Sequence, residues 1–207
     1  MEHAHRLRPL APEEMSEANR VLLDVTVERM ADSETAGGGA VRTKPLPILA
    51  VMANHPTILG PFIEWATAVA QHGLITKREQ EILALRVALN CRSEFEWGHH
   101  VVFGRATGMT DDDLDRVVAG PDAAGWSPSE RALVRTADEL TSGAYDIGDE
   151  TWAALRSHFD DGQLAEIPFV VGQYTMLSMF ANGLGVALEE GYEPLPVDGR
   201  RSRPASA

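Results

Sequence analysis

Helix-capping signals recur along this chain, and they constrain its fold more than any other feature. In a capping box, a Ser or Thr and an acidic residue three positions later satisfy the free N–H groups at the start of a helix. The pattern occurs at Thr76 with Glu79, at Thr110 with Asp113, and at Ser127 with Glu130. The period-two alternation of half-buried strands is missing, so the sequence predicts an all-α fold.

The strongest helical pattern lies at the centre of the chain, in two consecutive segments. Apolar residues surround almost the whole first segment, so we expect a largely buried helix there. They are Ile82, Leu83, Leu85, Val87 and Leu89. Glu79 already serves the cap of this helix, whereas Glu81 has no such task and needs a buried partner.

The second segment places Glu96, His100 and Phe103 in one line, at positions i, i+4 and i+7 of a helix. A carboxylate one turn from an imidazole orients the ring and raises its basicity, as general acid–base catalysis requires. A satisfied structural histidine has the same spacing and remains an alternative. We expect Glu81 to meet this pair between packed helices and to supply or hold a second proton.

Four further residues have predicted substrate-binding roles. Trp97 and Phe103 are expected to form apolar walls that exclude water and maintain shifted pKa values. Arg86 or Arg92 is expected to hold a substrate carboxylate, because a guanidinium matches a carboxylate geometrically.

Metal and thiol chemistry have weaker support. Glu96 and His99 form an E-x-x-H spacing, but a dinuclear site in a helical bundle needs a second such motif, and none occurs. His99 and His100 point about 100 degrees apart on a helix, so we expect no metal site and no cofactor. The single cysteine, Cys91, excludes an intramolecular disulfide and is expected to be a packing residue, although a nucleophilic or redox role remains an alternative.

The net charge and the hydropathy of the chain argue against nucleic acid and membranes as binding partners. The net charge is −13, with 31 acidic and 18 basic residues, which opposes binding to nucleic acid or an anionic membrane. No apolar run approaches the roughly 20 residues of a membrane span, and the first residues lack a secretory signal. We expect a cytoplasmic protein that acts on a small molecule.

The domain prediction is one all-helical unit over residues 1–193, with a mobile glycine-rich loop at 31–44 and a disordered tail at 194–207. Residues 76–90 and 127–141 share their spacing of cap, acid and apolar positions, which predicts two weakly related helical halves in one core. Gln173, Tyr174, Ser178 and Asn182 lie at helical spacings in a long apolar stretch. Some of these polar groups are expected to reach a subunit interface or a pocket, and the interface is preferred.

With these residues laid out, the central stretch resembles the carboxymuconolactone decarboxylase family, which shares its helical fold with alkyl hydroperoxidase D-like proteins. The matching motifs are REQEILALRVA, EFEW-x-x-H and GRATGMTDDDLDRV, and the likeness extends over about residues 46–118. The resemblance implies an alkyl hydroperoxidase D-like helical bundle that assembles as a homo-oligomer, either a trimer or a larger ring, with a dimer as an alternative.

The peroxidase branch of this superfamily has a glutamate, two cysteines and a histidine at fixed spacing. On this chain the glutamate is Glu81 and the histidine is His100, while Ser93 and Glu96 occupy the two cysteine positions. The chain is therefore similar to the non-redox branch, for which the resemblance implies proton-transfer chemistry of the lyase type. Decarboxylation, elimination, dehydration and cyclisation of a lactone, carbonyl or polyketide-like substrate all remain open. The alternatives are a redox protein that uses Cys91 and a non-catalytic ligand-binding or assembly protein.

Overall fold

Nine α-helices and one 3₁₀ helix build the part of the chain that the computed structural model describes, residues 6–32 and 46–202. The 3₁₀ helix is Pro12–Glu14, and the α-helices are α1 (Glu17–Asp32), α2 (Pro47–Met52), α3 (Pro56–His72), α4 (Lys77–Asn90), α5 (Glu94–Ala106), α6 (Asp111–Ala119), α7 (Pro128–Thr141), α8 (Asp149–Arg156) and α9 (Asp161–Leu184). Within these ranges the only β-type pairing is an isolated bridge between Val197 and Arg200. The all-α prediction is confirmed.

Helix α4 is the buried centre of the fold. Thr76 and Glu79 form its predicted capping box, and most of its residues from Gln80 to Ala88 are buried. It packs against α5, α7 and α9, so both of its sides face protein. The prediction of a largely buried helix, read from its apolar pattern, is confirmed.

Two clusters of buried apolar residues share α4. The larger one joins α1, α2 and α3 to α7, α8 and α9. The smaller one lies among α4, α5, α6 and α7 and contains Trp97, Leu114 and Trp126. Helices α4 and α7 each have 14 residues and a capping box, and they pack against each other, as the two related segments predict.

The N-terminal region consists of two separate helices, the 3₁₀ helix and α1. Met15 has extended backbone angles and separates the 3₁₀ helix from α1. The Ser16 hydroxyl then accepts a hydrogen bond from the Asn19 N–H at 3.2 Å, which starts a new helix. The loop predicted at 31–44 lies, apart from its first two residues, outside the described residues.

Helix α9 is continuous from Asp161 to Leu184, although Pro168 lies inside it. Its Asp160–Gln163 capping box and the left-handed Gly185 define its two ends. Among the described residues, α9 alone has the length and hydropathy of a membrane-spanning helix, and half of its most apolar window is buried inside the fold. Such burial is typical of a core helix.

The prediction of a disordered tail is wrong for residues 194–202. The Arg201 side chain is almost fully buried and lies 2.6 Å from Glu193, with Asp111 and Asp115 each at 3.1 Å. These carboxylates neutralise the guanidinium and attach the segment to α6. The composition of the segment could not predict these ion pairs, because Asp111 and Asp115 are distant from Arg201 in the sequence. Residues 203–207 lie outside the described part.

Candidate functional site

Glu81 and His100 form the shortest polar contact between α4 and α5. The Glu81 Oε2 atom lies 2.6 Å from Nδ1 of His100, and both side chains are buried. The packing of α4 on α5 brings the two residues together. Glu81 therefore has the buried partner that its position required.

Glu96 faces the other nitrogen of the same ring. It lies one turn before His100 on α5, and its Oε2 atom is 3.5 Å from Nε2 of His100. That distance exceeds the usual 2.7–3.2 Å of an N–H···O hydrogen bond, so this contact is looser than the one with Glu81. The structure thus brings together all three predicted catalytic residues, with an imidazole between two carboxylates.

The carboxylates determine the protonation of His100. Burial by itself lowers the pKa of His100, but the charge and hydrogen bond of Glu81, followed by those of Glu96, outweigh burial and raise the pKa to about 10. His100 is therefore an imidazolium at neutral pH. Both of its ring nitrogens then carry hydrogens, and each hydrogen points to a carboxylate.

The three residues line a cavity of about 220 Å³, which we call the central cavity. Most of its wall is apolar and comes from α2, α3, α5 and α9, including Leu49, Phe62, Ile63, Phe95, Phe103 and Leu177. The Phe103 ring packs edge-on against the His100 ring, with the centroids 5.3 Å apart. The cavity thus combines an apolar wall with one group of titratable side chains, as small-molecule sites usually do.

Helix α9 adds two polar residues to the cavity wall. Tyr174 packs edge-on against His100 at a centroid distance of 4.5 Å, and its hydroxyl oxygen accepts a hydrogen bond from Nε2 of Gln80 at 3.3 Å. Gln173 is buried beside it. Of the four polar residues predicted to reach an interface or a pocket, Gln173 and Tyr174 line the cavity, whereas Ser178 and Asn182 do not.

Gln80 is a cavity residue that was not predicted from the sequence. It lies next to Glu81 on α4. Like Glu81, it is a polar side chain in an otherwise apolar helix, and that feature could have identified it. Lys77, one turn before Glu81, also lines the cavity, and its ammonium donates to the Ala70 carbonyl near the end of α3.

Both predicted arginines lie outside the cavity lining, so the structure does not bring them to the candidate site. Arg86 is five residues after Glu81, about 140 degrees round the helix. Its guanidinium binds Asp138 at 2.5 Å and 2.8 Å and donates to the Val117 carbonyl. Arg92 is exposed in the turn between α4 and α5, where it adopts a positive φ of 52°.

Trp97 also lies outside the cavity lining. It follows Glu96 on α5 and therefore points about 100 degrees away from it. Its side chain is fully buried in the smaller core cluster, together with Val101. Trp97 is a core residue, and the expected cavity wall on α5 consists of Phe95 and Phe103 instead.

His99 and His100 diverge, as their helical spacing predicts. His99 Nε2 lies 2.9 Å from Glu189 Oε2, and its ring packs against Phe95 and Tyr192 at 4.4 Å each. His99 thus connects the cavity to the C-terminal segment. The two histidines do not converge on one point.

Cys91 lies at the opposite end of α4 from the acidic group. It is the C-cap of the helix, ten residues after Glu81, which corresponds to about 15 Å along the helix axis. It does not line the central cavity. Burial raises the pKa of the Cys91 thiol, and weaker hydrogen bonds with Thr175 and Ser178 oppose that shift. The thiol is therefore neutral at physiological pH.

Comparison with known families gives a match over the helices that carry this site. Residues 56–139, which include α4, α5 and all three titratable groups, match the carboxymuconolactone decarboxylase family. The match supports assignment of this region to the carboxymuconolactone decarboxylase family. The sequence has one cysteine, so it lacks the thiol pair of the peroxidase signature. No curated protein matches the sequence.

Solved structures show the same fold at low identity. A putative antioxidant defence protein of unknown function from Agrobacterium tumefaciens is 21% identical, with a TM-score of 0.62 over 66% of this chain and 93% of that chain. A peroxidase-related protein from Ralstonia eutropha is 17% identical, with a TM-score of 0.73 over 90% and 93%.

A debrominase solved with 2,3,4-tribromopyrrole is 12% identical, with a TM-score of 0.73 over 92% of this chain and 95% of that chain. At such identities the structural likeness concerns the fold alone. The fold is that of the alkyl hydroperoxidase D-like proteins.

Proposed function

We propose that this protein is an acid–base enzyme of the lyase type, which moves protons on a small, largely apolar substrate in the central cavity. The observation that carries the proposal is the imidazolium of His100 between Glu81 and Glu96 at the wall of that cavity. Titratable groups with shifted pKa values in an apolar cavity are typical of proton-transfer sites.

The geometry assigns different roles to the two carboxylates. Glu81 makes the short contact with Nδ1 of His100, so it fixes the ring and holds its charge. Glu96 makes the looser contact with Nε2, so it is the carboxylate that can turn to a substrate. We therefore assign proton abstraction to Glu96 and proton delivery to Nε2 of His100, which revises the expectation that His100 acts as the base and Glu96 as its orienter.

The test is deuterium exchange, because it requires no knowledge of the natural substrate. The protein is incubated in D₂O with a panel of small ketones and lactones such as 2-tetralone and α-angelica lactone, and NMR follows deuterium incorporation beside the carbonyl. We expect exchange above the solvent rate, and Glu96→Gln or His100→Gln should lower it by a factor of about 10² to 10⁴.

Matched control variants distinguish the effect of a substitution in the cavity from that of the same substitution on the surface. Glu94 is an exposed glutamate on the same helix, and His158 is an exposed histidine after α8. Glu94→Gln and His158→Gln should leave the exchange rate unchanged. Exchange that persists in both the Glu96 and the His100 variants would refute the proposal, as would the absence of exchange across the panel.

A ligand-binding protein without catalysis is the second candidate, favoured by the largely apolar cavity itself. The two functions differ in one observable. A binding protein would bind members of the panel, as seen by calorimetry, without accelerating exchange.

We also propose a cytoplasmic homo-oligomer. Helix α9 exposes the large apolar side chains of Phe169, Met176 and Met179, and exposed apolar patches often mark protein–protein interfaces. Sedimentation velocity should show trimers or larger assemblies at micromolar concentration, with a dimer as the smaller alternative. A monomer would contradict the proposal.

A further inference from the structure

The charges around the central cavity restrict what can bind next to His100. Two carboxyl groups, those of Glu81 and Glu96, face the one imidazole ring of His100, so carboxyl oxygens outnumber positive groups at this place. Both arginines expected to hold a substrate carboxylate lie outside the lining. Lys77 is a cation in the lining, but it is one turn from Glu81, about 6 Å along the axis, and donates to Ala70. Among the described residues, an anionic group beside His100 therefore meets two carboxylates, and Lys77 is the one lysine or arginine of the lining that could pair with it.

Tyr174 provides a hydrogen-bond donor at the same place. Its hydroxyl oxygen accepts from Gln80, so the hydroxyl hydrogen remains available for donation. Burial, together with the negative charge of Glu81, raises the pKa of Tyr174 above its usual value, so the hydroxyl stays protonated. A buried neutral donor next to carboxylates suits an uncharged acceptor such as a carbonyl oxygen.

Gln173 gives a second, independent sign of a ligand. Its side chain lines the cavity and is more than nine-tenths buried, and its Oε1 atom has no hydrogen-bond partner among the described residues. Burying a polar atom without a partner is costly, so a polar ligand atom at this position would offset that cost.

We propose that the substrate is a neutral carbonyl compound, either a ketone or a lactone without a carboxylate, whose carbonyl oxygen accepts a hydrogen bond from Tyr174. The proposal rests on the proposed function and narrows it. Glu96 takes a proton from the carbon beside the carbonyl, and the electron pair of that C–H bond moves to the carbonyl oxygen, which Tyr174 stabilises. The resulting enolate regains a proton or expels a leaving group, so dehydration and cyclisation fit this site better than decarboxylation of an acid.

The test compares two molecules of nearly the same shape. Acetophenone carries a methyl group where benzoate carries a negatively charged oxygen. Calorimetry should show that acetophenone binds at least about tenfold more tightly than benzoate, which corresponds to about 1.4 kcal/mol. The infrared band of the ¹³C-labelled carbonyl should move to lower frequency when acetophenone binds.

Tyr174→Phe removes only the hydroxyl. It should weaken acetophenone binding by about three- to tenfold and abolish the infrared shift, since one hydrogen bond is lost. Tyr145→Phe is the matched control, because Tyr145 is exposed and lies outside the lining of this cavity, and it should change neither quantity.

Three results would overturn the inference: no acetophenone binding at millimolar concentration, benzoate binding as tight as that of acetophenone, or an infrared shift that persists in Tyr174→Phe. None of these readouts depends on turnover. Failure of the substrate assignment is therefore distinguishable from failure of the acid–base function, which the exchange experiment tests.

Discussion

The Nδ1 atom of His100 lies 2.6 Å from Oε2 of Glu81, although 19 residues and a helix boundary separate the two in the sequence. This contact determines the charge of His100 and, through it, the electrostatics of the central cavity. Loss of this contact should therefore affect both the free energy of unfolding and the proposed proton transfer.

Replacing Glu81 by Gln should lower the exchange rate by a factor of about 10² or more, because His100 loses the charge that orients and protonates it. The pKa of His100 should fall from about 10 toward its ordinary value. An NMR titration of the His100 ring measures the pKa, and Glu64→Gln, at an exposed glutamate on α3, is the control. An unchanged pKa would contradict the assigned role of Glu81.

The pH dependence of stability should also report on His100. Its folded-state pKa is about 10 and its unfolded value is about 6.5, so its contribution to stability is fully present below about pH 6.5 and is lost as the pH rises through about 10. The difference in free energy of unfolding between the wild type and His100→Gln should therefore be larger at pH 6 than at pH 10.5, by up to about 4 kcal/mol. Urea unfolding at both pH values measures it, and equal differences would refute the prediction.

Replacing Cys91 by Ser should leave the exchange rate within about a factor of two, because the thiol lies about 15 Å along α4 from Glu81 and outside the cavity. Thermal unfolding checks that the variant is folded. A loss of activity in the folded variant would restore the redox alternative.

The sequence predicted the parts of this fold that depend on local patterns. The capping boxes at Thr76, Thr110 and Ser127 all form, and the apolar character of α4 indicated its burial. The line of Glu96 and His100 on α5 follows from helix geometry alone. Local rules of capping and periodicity were sufficient for these features.

The remaining features depend on contacts between distant segments. Tyr174 lies at the site because α9 packs against α4. No local sequence pattern predicts that packing. Arg86 lies outside the cavity lining because it pairs with Asp138, 52 residues away in the sequence. Trp97 lies outside it because a second core cluster is packed behind α5, which the sequence does not reveal.

The contacts of Arg201 also join distant segments, and they give a further prediction. Arg201→Ala should lower the free energy of unfolding by about 2–3 kcal/mol. The buried carboxylate of Glu193 would lose its 2.6 Å contact with Arg201 and keep its 3.3 Å contact with Arg105. Arg200→Ala, at the exposed neighbour, should change stability by less than about 0.5 kcal/mol. Urea denaturation compares the two, and equal effects would show that the pairing of Arg201 is unimportant.

The protonation of His100 tests the central claim most directly. In protein labelled with ¹⁵N at histidine, both ring nitrogens of His100 should be protonated at pH 7.5, the ring should titrate with a pKa of about 10, and its signals should move when acetophenone is added. A neutral His100 ring at pH 7.5, or signals that do not respond to saturating acetophenone, would contradict a charged acid–base group in a substrate cavity.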